Sequence, residues 1–114
     1  MKNYMIKRQA YGYEIQACIT KMPKDIHILL TGGNLPHIGA VSIFEEGREK
    51  VFVQLPEHKD GVVSQRWAKE LSKLLNRQVT VNCGIHYDDL TKDQIEELVK
   101  LTEEMLKEAI KILQ

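Results

Sequence analysis

Three histidines stand in segments rich in glycine, proline or aspartate, and each segment adjoins a run of alternating apolar residues. The segments read GGNLPHIGA (32–40), LPEHKDGV (55–62) and CGIHYDDLT (83–91), and they contain His37, His58 and His86. Alternating apolar residues predict strands, so each histidine is expected at a strand end. Because several strand ends can share one edge of a small sheet, the three histidines could converge on one rim.

The same segments favour binding of an anion. Gly32, Gly33 and Asn34 can present backbone N–H groups as a nest for phosphate. His58 and Lys59 precede a predicted helix, whose N-terminus also favours negative charge, and Asp60 is predicted to cap that helix. Ordinary turn chemistry is the alternative for each segment taken alone. Three such strand ends in one short chain favour a binding site over three unrelated turns.

Two kinds of catalytic site are weaker interpretations. Histidines with Asp88 or Asp89 could form a zinc or iron site, but the sequence contains no HxH or HExxH pair. Nucleophilic catalysis is weaker still, because Ser42 and Ser64 lack a GxSxG motif and Cys83 has the strand parity of a core residue. We therefore expect no catalytic residue and no metal, and a histidine-based metal enzyme remains a lesser alternative.

Five strand-like and two helix-like runs position these segments in the order ββββαβα. Strands are predicted over 11–21, 26–33, 37–45, 50–55 and 78–87, and helices over 61–76 and after Thr91, where Thr91 and Gln94 fit a capping box. Short connections favour hairpins. The prediction is an α+β fold with a largely antiparallel five-stranded sheet and two helices packed on one face.

The opposite face of the predicted sheet is mixed in character. It carries Glu14, Gln16, His27, Leu29, Val41 and Ile43. This apolar content favours a partner, such as a second copy of the chain, over a plainly solvated face.

The overall composition argues against a protein that mainly binds nucleic acid or membranes. The chain has 114 residues with 16 basic and 16 acidic side chains, so a nucleic acid or an anionic membrane is not expected as the main partner. One domain over residues 1–114 is expected. The sequence shows no bilayer-length apolar run and no signal-peptide pattern, and Cys18 and Cys83 are expected to be reduced and buried. A cytoplasmic protein is therefore predicted.

The three histidine segments also carry a family resemblance. The matching residues are Gly32, Gly33, Pro36, His37, Ile38, Gly39, Ala40 and Val41, then Pro56, His58, Lys59 and Asp60, then Gly84, Ile85, His86 and Asp88. With them the sequence resembles the small accessory subunits of non-oxidative hydroxyarylic acid (gallate-type) decarboxylases. These accessory subunits are prenylated-flavin chaperone-like domains. The sequence departs from the family pattern at Tyr87 and Asp89, where the pattern has isoleucine and asparagine.

The resemblance implies a function and a fold. It implies a non-catalytic accessory protein that binds prenylated flavin mononucleotide (prenylated FMN) or FMN and delivers it to a decarboxylase. The implied fold is similar to that of proteasome assembly chaperones, which are small α+β dimers. The alternative is a dimeric assembly scaffold without a cofactor.

The cofactor contacts are expected among the motif residues. Gly32, Gly33 and the helix start at Asp60 would hold the phosphate, and Lys59 would supply positive charge. His37, His58 and His86 would donate to the phosphate or to the polar edge of the flavin, and Asp88 belongs to the same motif.

Overall fold

The computed structural model describes residues 1–55 and 60–114, which form one sheet with two helices against one of its faces. The elements are β1 (Lys2–Ala10), β2 (Tyr13–Lys21), β3 (Asp25–Gly33), β4 (Ala40–Glu45), β5 (Arg48–Gln54), α1 (Gly61–Leu75), β6 (Gln78–His86) and α2 (Lys92–Leu113). The α+β class and both helices are as predicted.

The sheet has six described strands rather than the expected five, in the order β1-β2-β3-β6-β4-β5. The additional strand is β1, in which Ile6 is the one fully buried side chain, so its apolar alternation is weak. Tyr11 and Gly12 join β1 to β2 with φ of 51° and 82°. Positive φ at both residues is what a tight type I′ hairpin requires.

One pairing in the sheet is parallel, and it sets the position of the candidate site. β3 and β6 run parallel, whereas the other neighbouring pairs are antiparallel, so the sheet is mixed and the prediction of a largely antiparallel sheet is close but not exact. The chain passes through α1 before β6 enters between β3 and β4. As a result Gly33 at the end of β3 lies beside His86 at the end of β6.

Alternate strand residues build the core on the helix-covered face. Ile15, Ala17, Ile19, Ile28, Leu30, Val79, Val81 and Cys83 are buried there. Trp67 and Leu71 of α1 and Met105 and Leu106 of α2 pack against them. The predicted strand parity is confirmed. Leu74 of α1 lies outside this core and is 47% exposed.

The long helix α2 packs mainly through its C-terminal half. Thr91 accepts a hydrogen bond from the N–H of Gln94, whose side chain accepts from the N–H of Thr91, so the predicted capping box is confirmed. The apolar stripe of α2 starts closer to the N-terminus of the helix than its buried part does. Ile95 and Val99 belong to this stripe but remain 50% and 44% exposed. Neither helix in the described ranges combines the length and apolar character needed to cross a membrane.

The second face of the sheet is left uncovered by the described elements. One row across it contains Cys18, Leu29, Asn82 and Val41 in register, and each of these side chains is half-buried. The expectation that Cys18 is buried is therefore wrong within a single chain, because this face carries no helix. Cys83, on the other face, is buried as expected.

Candidate functional site

The segment 34–39 crosses the end of β6 and makes close backbone contacts there. The N–H of Asn34 donates to the carbonyl of His86, and the N–H of Gly39 donates to that of Cys83, both at 2.9 Å. A side chain at Gly84 would collide with the backbone of His37, and one at Gly33 would collide with the carbonyl of His86. Close backbone approach accounts for both glycines, and it holds His37 above the strand end.

His37 lies between two hydrogen-bond acceptors. Its Nε2 is 3.3 Å from Oδ2 of Asp60, and its Nδ1 is 3.0 Å from the carbonyl oxygen of Leu35. These two contacts fix the imidazole ring between the N-terminus of α1 and the segment 34–39.

Asp60 occupies the N-cap position of α1, but the prediction that its side chain caps the helix is wrong. Its Oδ1 accepts instead from the N–H of Ile85 at 3.0 Å, while the N–H of Gly61 donates to Oε1 of Gln54 at 3.0 Å. The buried Asp60 carboxylate thereby joins α1, β6 and the segment that carries His37.

The ring of His86 contacts Asp88, which is held in turn by the side chain of Asn34. Its Nε2 is 2.9 Å from Oδ1 of Asp88. The side-chain amide of Asn34 donates to Oδ2 of Asp88 at 2.8 Å, and its oxygen accepts from the N–H of Asp88 at 3.0 Å. The prediction that the N–H of Asn34 belongs to a phosphate nest is wrong, because this N–H donates to the carbonyl of His86. The contact of the Asn34 side chain with Asp88 was not predicted.

Two of the three predicted histidines meet at one rim. The rings of His37 and His86 have centroids 6.3 Å apart and are nearly perpendicular. His58 and Lys59 lie outside the described residues. Gly32 is buried against the backbone of Ile15, so it shapes the end of β3.

Below this rim lies a cleft of about 350 Å³ between α1, β6 and α2. Its polar side is formed by His37, Asp60 and His86, and its apolar walls are formed by Val63, Ile85, Leu90, Ile95, Leu98 and Val99. The apolar walls were not predicted as part of a site. The available signal was the apolar stripe of α2, which extends to Ile95 in the first turns of the helix.

Tyr87 lines the same cleft and anchors it to the first hairpin. Its hydroxyl donates to the carbonyl of Ala10 at 2.8 Å, and its ring packs edge-on against Tyr11 and Tyr13. Burial raises the pKa of Tyr87, so the phenol stays protonated and continues to donate. The departure from the family pattern at this position thus adds an aromatic wall and a link to β1.

Neither of the two catalytic alternatives finds support in the described residues. Burial, and to a smaller extent Asp60, raises the pKa of the Cys83 thiol, so this side chain is a neutral core residue. Over residues 1–55 and 60–114, no three His, Cys, Asp or Glu side chains are grouped so that they could hold a metal ion.

Comparison with known proteins shows what the chain as a whole is similar to. Residues 9–114 match the family model described as "Prenylated flavin chaperone LpdD-like domain". The chain is 33% identical over 108 residues to Protein LpdD of Lactiplantibacillus plantarum, covering 90% of this chain and 79% of that protein.

A solved structure shares the fold. It is the crystal structure of a chaperone complex for yeast 20S proteasome assembly, with a TM-score of 0.60, 12% identity and coverage of 99% of this chain and 98% of that chain. At this level of identity the likeness concerns the fold alone. It confirms the expected similarity to proteasome assembly chaperones.

Proposed function

Because the chain belongs to the LpdD-like prenylated flavin chaperone family, we propose that it binds prenylated FMN and delivers it to a decarboxylase. The family is one of chaperones, and the protein is accordingly non-enzymatic. The observation that supports cofactor binding is the open cleft with apolar walls and a rim formed by His37 and His86.

The residues of the cleft fit parts of a flavin cofactor. Aliphatic walls and the Tyr87 ring suit aromatic and hydrocarbon groups, and a few polar groups at the rim can fix orientation. His37 and His86 would contact the polar edge of the ring system, with Asp60 and Asp88 holding them in place. Prenylated FMN supplies the decarboxylation chemistry in the enzyme, and this chain would only hold and release it.

The phosphate contacts proposed from the sequence are kept for His58 and Lys59. Gly32 and Gly33, which were predicted to hold the phosphate, would act instead by holding the end of β3 against Ile15 and His86. The cytoplasmic location likewise remains a prediction.

Calorimetric titration of the purified protein with prenylated FMN tests cofactor binding. We expect binding to the wild-type chain and, because one hydrogen-bonding side chain of the rim is lost, affinity weakened about tenfold in His37→Ala. Lys24→Ala, which removes an exposed side chain between β2 and β3, should bind like the wild type. A wild-type chain that fails to bind prenylated FMN would contradict the proposal.

Delivery is tested by mixing the loaded protein with an apo-decarboxylase of the prenylated-flavin type. Transfer predicts that cofactor absorbance moves to the enzyme fraction in size-exclusion chromatography and that decarboxylation appears. Cofactor that stays on the small protein, with the enzyme inactive, would favour storage over delivery.

A homodimer through the uncovered sheet face is the proposed assembly. With about 4.8 Å between strands and about 3.3 Å per residue, six strands of up to nine residues cover roughly 800 Å², which is close to what each partner buries in a stable complex. This face also supports the alternative function, a dimeric assembly scaffold.

A second copy is favoured because the centre of the face is uncharged. The row of Cys18, Leu29, Asn82 and Val41 carries no charged side chain, and Asn82 already bonds to His27 at 3.0 Å. A charged partner surface would lose hydration without gaining an ion pair there. The same face in a second chain is complementary, as a two-fold interface requires.

A further inference from the structure

The charge of the cleft argues against the phosphate as its occupant. The buried carboxylate of Asp60 faces it, and among the described lining residues there is no lysine or arginine. Asp88 adds a second carboxylate beside His86 at the rim. A phosphate inside the cleft would therefore meet negative charge without a matching cation from these residues.

The walls of the cleft instead favour a hydrocarbon. Ile95 and Val99 are about half exposed although they lie on the core-facing stripe of α2, and they face the space that Val63 and Leu98 also line. Exposed aliphatic side chains on a concave surface gain free energy when an apolar ligand removes them from water. Such a concave apolar patch is typical of a ligand site.

We propose that the cleft receives the prenyl-derived hydrocarbon part of the cofactor, while the phosphate stays outside it. This inference rests on the proposed function and specifies which part of the ligand that site takes. A cleft of about 350 Å³ is at the small end of ligand pockets, which suits part of a flavin nucleotide better than all of it. The protein would thereby distinguish prenylated FMN from plain FMN.

The first test compares both cofactors on variants of the apolar wall. In the double variant Ile95→Ser with Val99→Ser, affinity for prenylated FMN should fall about tenfold because apolar burial is lost. Affinity for plain FMN should stay unchanged. Leu74→Ser, at a comparably exposed position of α1 outside the cleft, should change neither affinity. The inference would be overturned if the double variant lost the same amount of affinity for both cofactors, or lost affinity for neither.

The second test uses the hydrocarbon alone and does not depend on cofactor binding. Dimethylallyl alcohol should shift the methyl NMR signals of Val63, Leu98 and Val99, whereas inorganic phosphate should leave them in place. If these shifts occur but prenylated FMN does not bind, the proposed function fails while the cleft remains a hydrocarbon site. If the phosphate shifts these signals and the alcohol does not, the inference is overturned although cofactor binding can stand.

Discussion

Asp60 is the residue on which the geometry of the rim most depends. Its carboxylate accepts from the backbone of Ile85 and faces His37, and the residue is only 7% exposed. Truncation leaves a buried N–H without its acceptor, so Asp60→Ala should lower the free energy of unfolding by about 1–3 kcal/mol. Asp60→Asn keeps an acceptor oxygen for Ile85 and should cost less. Urea denaturation measures both, and equal losses would contradict this role.

The sequence predicted that histidines lie at strand ends, but it did not predict what they contact. His37 and His86 were predicted at strand ends, and their rings do approach each other. The partners of Asp60 were not predictable, because a helix-capping aspartate and a buried aspartate that bonds to a distant strand have the same local sequence. Which of these two roles the aspartate takes depends on whether the end of β6 lies next to its carboxylate. The order of strands in the sheet determines this.

At the scale of elements, close contact between the segment 34–39 and β6 positions the site. Gly84→Ala would push a methyl group into the backbone of His37. The segment 34–39 cannot move away without losing its backbone hydrogen bonds to β6. We expect a loss of about 1–3 kcal/mol in the free energy of unfolding, as for other overpacked sites.

Gly61→Ala is the matched control for this change. The nearest atoms there are side-chain ends of Gln54 and Phe52, which can shift aside, with at most the hydrogen bond from the N–H of Gly61 to Gln54 lost. Thermal or urea denaturation should therefore show a clearly smaller loss than for Gly84→Ala. A larger loss at Gly61 would mean that the approach of the two backbones is not the main constraint.

Element prediction succeeded where burial is periodic and failed where it is not. Ile15, Ala17 and Ile19 mark β2 because alternate side chains enter the core. β1 lies at the edge of the sheet and buries only Ile6 fully, so its sequence resembles a polar segment. The position of β6 between β3 and β4 likewise required the three-dimensional structure, since local patterns do not specify strand order.

At the scale of the whole molecule, the uncovered sheet face predicts self-association. Leu29→Asp places a charge at the centre of that face, and burying it in an interface is unfavourable. Sedimentation velocity should therefore show a dimer for the wild type and a monomer for Leu29→Asp. Leu74→Asp, on α1 and away from this face, should remain dimeric. A wild type that is monomeric at all concentrations would contradict the assembly.

The central claim is that the cleft between α1, β6 and α2 binds prenylated FMN. Val99→Trp tests it most directly, because Val99 is 44% exposed and the larger side chain can extend into the cleft without disturbing the core. Leu74→Trp, at 47% exposure and outside the cleft, is the control. In calorimetric titration with prenylated FMN, we predict that Val99→Trp abolishes binding while Leu74→Trp binds like the wild type. Unchanged binding by a folded Val99→Trp variant would contradict the account.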